Sequence, residues 1–340
     1  MMLKRVAAAV LVLVVAGPVV EAQTRLKIAT MAPDGSFWME EMQVAADAVE
    51  ERTEGRVSFR FYPGGTMGSD SAVLRKIRIG QLHGGVLLAG GLALIDQSFD
   101  IYSLPLLFRS FDEVDFVRQR MDSKLLSRLS ANGLTAFGLT ETGFTYLMSA
   151  KPTRTFEDLR GRKAWTPQGD PISLAIVDAA GLSPVPLPIS DVLTGLQTGL
   201  IDTVAAPPVG AIALQWFTKA PFFTDLPITY VCGALAISEK ALGRLSAEDR
   251  AIVAEELTAA SKSLDQQTRA DEMEAREALA RQGVEFVDPT EQTRNDWNEI
   301  AAAATKKLLS ERDYDPEIFA EIQRLLAEFR SRPVASDSGE

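Results

Sequence analysis

Segments in which apolar and polar residues alternate are followed, in turn, by segments with a helical repeat. The alternating segments predict strands and the repeats of three to four residues predict helices. Along residues 26–89 the predicted elements are a strand over 26–30, a helix over 37–52 capped by Ser36, a strand over 57–62, a helix over 69–79 that stops at Gly80, and a buried strand over 85–89. This order favours a mostly parallel sheet with helices on both faces.

A second unit of the same kind begins near Thr135. Its predicted strands cover 135–139, 146–148, 163–165, 185–187 and 201–205, and its predicted helices cover 171–180 and 191–198, the second capped by Ser190. Two α/β units of similar size within 340 residues predict two domains.

The last third of the chain has a different pattern. From Ser246 to about Arg281 the sequence is rich in Ala, Glu, Arg and Leu, without glycine, and predicts one helix. A helix of this length is expected only where it bridges two bodies. A strand is predicted over 284–287 and further helix over 292–330, while the tail over 331–340 is predicted to be disordered.

The N-terminus has the features of a secretory signal peptide. Lys4 and Arg5 precede an unbroken apolar run over 6–16, which is too short to span a bilayer. Val20-Glu21-Ala22 fits the small-residue pattern before a cleavage site. We therefore expect cleavage near Ala22 and export to the periplasm; an uncleaved membrane anchor is the alternative.

Charge and cysteine content narrow the possible functions. The formal net charge is −11, and an acidic chain repels phosphate backbones and anionic lipid headgroups, so neither nucleic acid nor a membrane surface is expected as a partner. The single cysteine, Cys232, allows no internal disulfide, and its apolar surroundings predict a buried, unreactive thiol.

Motifs for catalysis are scarce. The single histidine, His83, allows no multi-histidine metal site, and its place after a helix end predicts a solvated or helix-capping role. The sequence contains no Gly-x-Ser-x-Gly elbow, phosphate-binding loop or dinucleotide fingerprint. Neither an enzyme nor a bound cofactor or metal is expected, although a hydrolase that uses a pair of carboxylates stays open.

Five segments, taken in order, resemble one known family. They are YPGGTMGS over 62–69, SLPLLFRS over 103–110, FEDLRGRK over 156–163, PLPISDV with LQTGLID over 186–202, and AISEK over 236–240. Together they resemble the solute-binding proteins of TRAP transporters (tripartite ATP-independent periplasmic transporters), the DctP-type family, over about residues 25–330. The resemblance implies an α/β, two-lobed periplasmic binding protein fold with a hinge, a long helix that crosses both lobes, and a ligand in the cleft between them.

The resemblance also implies a domain plan and partners. After the signal peptide over 1–22, lobe I is expected to comprise 23–142 plus 232–270 and lobe II 143–231 plus 271–330, followed by the tail over 331–340. The implied function is that of the periplasmic solute-binding subunit of a TRAP-type secondary transporter, with the transporter's membrane subunits as partners. Some members of the family pair through their C-terminal helices, which leaves a homodimer open.

Three positions depart from the family pattern. Members usually bind an organic acid through an arginine two residues after the lysine of the third segment, and here that position is Trp165. A second arginine often follows a Gly-Phe pair, and here Thr145 follows Phe144. An asparagine usually precedes the proline after the fourth segment, and here Ala206 precedes Pro207.

These replacements argue against a simple carboxylate as ligand, because a buried carboxylate needs a charged partner. We expect a neutral or apolar organic ligand, lipid-like, aromatic or terpenoid, that packs on Trp165. The expected ligand-binding residues are Trp38, Met67, Ala89, Phe144, Thr145, Trp165, Gln168, Ile189, Ala206, Pro207 and Trp216.

Several alternatives stay open at this stage. A cationic ligand could lie over Trp165. Trp165 could instead be a core residue, with Arg154, Arg160 or Arg162 supplying a relocated clamp for an organic acid. Met67 is either a cleft residue or a turn filler. The protein could also report its ligand to a sensor instead of delivering cargo to a transporter.

Overall fold

The computed structural model describes residues 23–332 of the chain. The predicted signal peptide and most of the predicted disordered tail lie outside the described residues. The strands are β1 (Thr24–Ala29), β2 (Val57–Tyr62), β3 (Gly84–Leu88), β4 (Leu134–Thr135), β5 (Thr140–Ser149), β6 (Lys163–Pro167), β7 (Ser183–Leu187), β8 (Thr203–Ala206), β9 (Phe222–Ser238) and β10 (Glu285–Val287).

The helices of the described part pack on both faces of these strands. They are α1 (Phe37–Arg52), α2 (Asp70–Arg78), α3 (Ala89–Ala93), α4 (Phe111–Ala131), α5 (Pro171–Ala179), α6 (Val192–Thr198), α7 (Pro208–Ala213), α8 (Glu239–Leu242), α9 (Ala247–Arg281), α10 (Glu291–Glu311) and α11 (Pro316–Arg330). Short 3₁₀ helices cover Gln97–Ser103, Phe156–Leu159, Ile189–Asp191 and Trp216–Thr218.

All these strands belong to one sheet, with the order β2-β1-β3-β9-β5-β8-β6-β7 and with β4 and β10 also paired to β9. At one end β1 pairs in parallel with β2 and β3, and at the other β6 pairs in parallel with β7 and β8. We call these ends, with their helices, lobe I and lobe II. The expected parallel sheet is therefore found within each lobe. Between the lobes, however, β9 and β5 are antiparallel to each other and form what we call the β5–β9 ribbon.

Local signals placed the first elements of lobe I correctly. α1 and β2 have the predicted bounds, because the apolar repeat and the cap agree. Ser36 caps α1 as predicted: its hydroxyl oxygen accepts a hydrogen bond from the backbone N–H of Met39 at 3.4 Å.

Three local predictions were wrong. The strand predicted over 135–139 is limited to the two residues of β4, since the chain joins the ribbon only at Thr140. The helix predicted over 292–330 is two helices, because Pro316 begins α11 and the Asp315 side chain caps it. Ser190 does not cap α6; it lies in a 3₁₀ turn and its hydroxyl donates to Asp191 at 3.0 Å.

The long helix predicted from the last third of the chain is confirmed. α9 has 35 residues, which extend over about 50 Å at the rise of an α-helix. It packs on α1 of lobe I, on β5, and on α7 of lobe II. A helix of this length is stable here because both lobes cover its apolar positions.

The apolar core follows the same plan. A smaller cluster fills lobe I between β1, α1 and the first half of α9, around Leu26, Met42 and Val253. A larger cluster runs from α2 through the β5–β9 ribbon to α5 and α10, and includes Tyr230 and Trp297. The two lobes are therefore connected by continuous packing as well as by shared strands.

Candidate ligand-binding cleft

The register of the sheet directs the strand ends of both lobes toward one segment of the ribbon. β3 ends at Leu88, opposite Gly233 of β9, and β8 ends at Ala206, level with Pro227 of β9. Because β3 and β8 run in opposite directions, the loops after them approach residues 227–233 from two sides. This stretch of about 20 Å lies where ligands bind in open α/β sheets, outside the carboxyl ends of parallel strands. We call it the cleft.

Lobe II contributes an aromatic wall formed by Trp165 of β6 and Trp216. The indole N–H of Trp165 donates to the carbonyl oxygen of Leu187 at 3.0 Å, and the Trp165 ring lies 5.0 Å from the ring of Trp216. Trp216 is 2% exposed, whereas Trp165 is half-buried. The polar atom of Trp165 is thus satisfied within the protein, and its accessible surface is apolar.

Large apolar side chains are exposed on both sides of the cleft. Each follows a strand end or opens the helix after one, and each is between 37% and 44% exposed; they are Met31, Phe37 and Leu88 in lobe I, and Ile189 and Val209 in lobe II. Other large apolar side chains of the described part are exposed too, among them Val44, Ile79 and Met273, but these five lie beside the strand ends, where an apolar surface can serve a ligand. Of the predicted residues, Ile189 is therefore placed with an accessible side chain.

The central floor of the cleft is a pair of threonines on the ribbon. The hydroxyl oxygens of Thr145 and Thr229 are 2.7 Å apart, so one hydroxyl donates to the other. Phe144 and Tyr230, the neighbours of this pair, point to the opposite face because strand side chains alternate, and their rings lie 5.6 Å apart in the core. Thr145 can offer a ligand a hydrogen bond but no charge, and Phe144 is 3% exposed.

Four more predicted residues follow the strand ends of the two lobes. Gln168 is exposed after β6, and Pro207 is half-buried after β8. Ala89 and Ala206 are both buried, at the first turn of α3 and the last position of β8. The structure brings these four residues to the cleft edge, but only Gln168 and Pro207 have accessible side chains there.

The last two predicted residues lie in lobe I. Trp38 is half-buried and its ring packs edge-on against Phe61 at 6.5 Å. Met67 is half-buried in the loop after β2, where its carbonyl oxygen accepts a hydrogen bond from the Lys76 ammonium at 2.9 Å. Both residues therefore have packing partners, and their role toward a ligand stays a prediction.

The arginines considered as a relocated clamp are all engaged in lobe II. The guanidinium of Arg162 donates to three backbone carbonyls of the preceding loop. Arg154 pairs with Glu285 at 2.9 Å, and Arg160 pairs with Glu157 at 3.1 Å. These contacts hold the loops of lobe II together, so the structure gives none of the three a free guanidinium for a carboxylate.

A carboxylate on the lobe I side of the cleft was not predicted. Asp70 opens α2 after the loop that follows β2, and it lies against Gly91 of α3, where an added Cβ would be 2.7 Å from Asp70 Cγ. Asp70 is half-buried, and burial raises the pKa of its carboxyl to about 6. Within residues 23–332 no group donates a hydrogen bond to it. The sequence did not indicate Asp70 as a site residue, because an acidic residue in the first turn of a helix is common.

A second group of charges lies between α4, α9 and the ribbon, and its members are paired with one another. Arg118 of α4 donates to the Tyr230 hydroxyl at 3.0 Å and pairs with Asp265 of α9 at 2.9 Å. Arg269 of α9 pairs with Glu141 of β5 at 2.5 Å, and Glu141 also accepts from the Tyr230 hydroxyl at 3.0 Å. We call these five residues the α4–α9 network. Burial raises the pKa of the Glu141 and Asp265 carboxyls, and the arginines oppose this shift.

Cys232 and His83, which the sequence predicts to lie outside the ligand site, are both held within the protein. Cys232 is 1% exposed and burial raises the pKa of its thiol to about 12, which confirms the predicted buried thiol. His83 does not cap a helix: its Nδ1 lies 2.9 Å from the carbonyl oxygen of Arg25, and burial lowers its pKa. Over 23–332, no group of His, Cys, Asp and Glu is arranged to hold a metal ion, and no helix could cross a membrane.

A groove of about 450 Å³ lies away from the strand ends, between residues 104–107 and helices α10 and α11. Its lining includes Ala301 and Leu309, and none of the predicted binding residues. Arg330 at its edge is already paired with Glu113 at 2.8 Å. Its lining also includes polar side chains such as Asn298, Lys306 and Gln323, but the groove lies away from the carboxyl ends of the strands, so it is a weaker candidate than the cleft.

Comparison with known proteins identifies the family. The model of the bacterial extracellular solute-binding protein family 7 (DctP) matches residues 28–312. The chain therefore belongs to this family of solute-binding proteins.

Individual relatives agree with this assignment. The chain is 27% identical over 178 residues to the 2,3-diketo-L-gulonate-binding periplasmic protein YiaO of Escherichia coli, a match that covers 51% of this chain and 52% of the relative. It is 24% identical over 260 residues to the C4-dicarboxylate-binding periplasmic protein DctP of Rhodobacter capsulatus, covering 75% and 77%. The match thus spans about half the length of YiaO and three quarters of the length of DctP.

A solved structure shows the same architecture. It is a TRAP periplasmic solute-binding protein from Ochrobactrum anthropi, whose C-terminus is bound in its ligand-binding pocket. The TM-score is 0.80 at 26% identity, and the alignment covers 91% of this chain and 96% of that one. The two-lobed periplasmic binding protein fold predicted from the sequence is confirmed.

Proposed function

We propose that the chain is the periplasmic solute-binding subunit of a TRAP-type secondary transporter. In this role it captures a small organic solute in the cleft, closes over it, and delivers it to the transporter's membrane subunits. Family and fold support solute binding rather than catalysis. Cleavage near Ala22, the lobe boundaries near residues 142 and 231, and a homodimer through the C-terminal helices belong to this proposal as untested parts.

The solute that the cleft fits best has an apolar body. The observation that carries this proposal is the presence of exposed apolar side chains beside the strand ends of both lobes, together with the half-buried Trp165. Closure on an apolar body would remove these side chains from water, and each Å² so covered contributes roughly 25 cal/mol. A solute drives closure only as far as it binds the closed state more tightly than the open one.

An organic acid is the second candidate, and the named relatives favour it. YiaO is named for 2,3-diketo-L-gulonate and DctP for C4-dicarboxylates. An acid would need a cation in the cleft, yet Trp165 occupies the usual arginine position and Arg154, Arg160 and Arg162 are engaged. We therefore rank the organic acid behind the apolar-bodied solute.

A thermal-shift titration of the exported, purified protein separates the two candidates. One set of probes shares a phenylethyl body: 2-phenylethylamine, 2-phenylethanol and 3-phenylpropionate. The other set is L-gulonate, D-galacturonate and succinate. A bound probe at a hundredfold excess over its Kd stabilises by about 2.7 kcal/mol, a shift of several degrees in Tm. We expect shifts from the phenylethyl set alone; shifts from the acids alone would establish the second candidate instead.

A further inference from the structure

The half-buried Asp70 carboxylate lies at the cleft edge, and no partner for it is found among residues 23–332. It faces α3, whose sequence from Ala89 to Ala93 has no charged residue. On its own helix the basic residues Arg75, Lys76 and Arg78 lie in the last turn, and the Lys76 ammonium is bonded to the carbonyl oxygen of Met67. The described part of the chain therefore supplies no cation to this carboxylate, although a charge that is partly withdrawn from water costs free energy when it has no partner.

Stabilisation of α2 explains why an acidic residue stands at position 70, but it does not explain why the carboxylate packs against α3. An acid in the first turn complements the helix dipole from a solvated position as well as from a half-buried one. Here the carboxylate packs against Gly91, and a side chain at that position would collide with it. The contact fixes the carboxylate at the edge of the cleft, between the ends of β2 and β3.

We propose that Asp70 is the polar anchor of the cleft and accepts hydrogen bonds from a cationic nitrogen of the captured solute. This inference rests on the proposed function and names the substrate class more closely: a small organic ammonium with an apolar body. The ammonium pairs with Asp70 of lobe I, and the apolar body lies against Trp165 of lobe II. One solute thereby contacts both lobes, which is what closure requires.

Calorimetric titration with the three phenylethyl probes tests this inference, because the probes differ in their polar group. We expect 2-phenylethylamine to bind more tightly than 2-phenylethanol, and 3-phenylpropionate to bind weakest. Asp70→Asn keeps the shape of the side chain and removes its charge. It should weaken 2-phenylethylamine roughly 10- to 100-fold, the usual value of a hydrogen bond to a charged group, and leave 2-phenylethanol nearly unchanged.

Two further variants control for net charge and for position. Asp47→Asn also removes one negative charge, but Asp47 is exposed on α1 and bonded to Gln43, so 2-phenylethylamine binding should not change. Gly91→Ala keeps Asp70 and displaces its carboxylate, so it should weaken 2-phenylethylamine and spare 2-phenylethanol.

The pH dependence gives an independent readout. With a carboxyl pKa of about 6, Asp70 becomes protonated as the pH falls from 7.5 to 5, while 2-phenylethylamine stays cationic. Wild-type affinity for the amine should fall over this range, and that of Asp70→Asn should stay flat.

The possible outcomes separate this inference from the proposed function. Binding of 2-phenylethanol or 3-phenylpropionate in preference to the amine, or an unchanged amine affinity in Asp70→Asn, overturns the role of Asp70 and leaves an apolar-bodied solute in place. Binding of L-gulonate, D-galacturonate or succinate alone overturns both, and so does the absence of binding by all six probes.

Discussion

Two charged regions of the molecule differ in where their partners come from. In the α4–α9 network, the buried Glu141 and the half-buried Asp265 face arginines of α4 and α9 at 2.5 to 2.9 Å. At the cleft edge, Asp70 has no cation from the described chain and its pKa is raised by burial alone. The first region is complete without a ligand, whereas we propose that a solute in the cleft completes the second.

The difference separates charges that hold the fold from charges that serve binding. The α4–α9 network connects two helices to both strands of the ribbon, so it holds the cleft floor in place. Asp70 forms no ion pair within the described part of the chain, so an asparagine could make the same packing contacts. Substitution in the network should therefore cost stability, and substitution at Asp70 should cost affinity.

The largest expected effect is the loss of Arg118. Arg118→Ala would leave the buried Glu141 and the half-buried Asp265 with fewer partners, and breaking a buried ion pair from one side costs about 3–5 kcal/mol of unfolding free energy. Urea unfolding followed by circular dichroism measures this loss.

Lys124 on the same helix provides the control for that measurement. Its pair with Glu321 is half exposed, so Lys124→Ala should cost less than about 1 kcal/mol. If Arg118→Ala cost no more than Lys124→Ala, the network would not have the structural role described above.

The next effect is a gain of stability at Asp70. Burial raises its folded pKa from 3.8 to about 6, so the folded state is stabilised below pH 4 and loses this contribution as the pH rises through 6. Asn does not ionise, and Asp70→Asn should therefore stabilise the ligand-free protein by roughly 1–2 kcal/mol at pH 8 and by little at pH 4. Chemical unfolding at both pH values measures the difference. A variant less stable than wild type at pH 8 would show that Asp70 has a partner in the folded protein.

Trp165 gives a smaller effect, on affinity. Trp165→Ala should weaken 2-phenylethylamine about tenfold, because it removes the half-exposed ring against which the apolar body lies. Trp165→Phe keeps an aromatic ring and should recover most of the affinity in the same titration. Equal affinity of wild type and Trp165→Ala would remove this ring from the binding site.

The smallest effect concerns the arginines of lobe II. The Arg160 pair with Glu157 is largely exposed, so Arg160→Ala should change unfolding free energy by less than about 0.5 kcal/mol. It should also leave the binding of every probe unchanged. A loss of L-gulonate binding in Arg160→Ala would instead identify a relocated clamp.

Local signals predicted the lobes but not their connection. α1, β2 and α9 follow from apolar repeats and caps that lie within a few residues of one another. The 17-residue strand β9 was missed, since its residues Pro227 and Gly233 disfavour a strand. α4, with its buried Glu113 and Arg118, was missed as well. Both elements depend on contacts from distant parts of the chain.

The candidate site shows the same limit. The family pattern pointed to Thr145 and Trp165, which stand at two of the departures from it, and to Ile189 of the fourth segment. It could not show that Trp216 is buried behind Trp165, and their roles toward a ligand stay predictions. Asp70 could not be predicted as a site residue from the sequence. Its distinguishing property is the lack of a partner among the described residues, and only the three-dimensional contacts show this.

The shared strands also decide how the protein can be engineered. β5 and β9 belong to both lobes, so no single cut of the chain releases one lobe with its sheet complete. A fragment that ended within β9 would expose the unpaired backbone of half a strand, an edge that promotes aggregation. A fluorescent biosensor built on this scaffold should therefore carry its reporter as an insertion in a surface turn, such as the one at Glu54 and Gly55, and not as a fusion to an excised lobe.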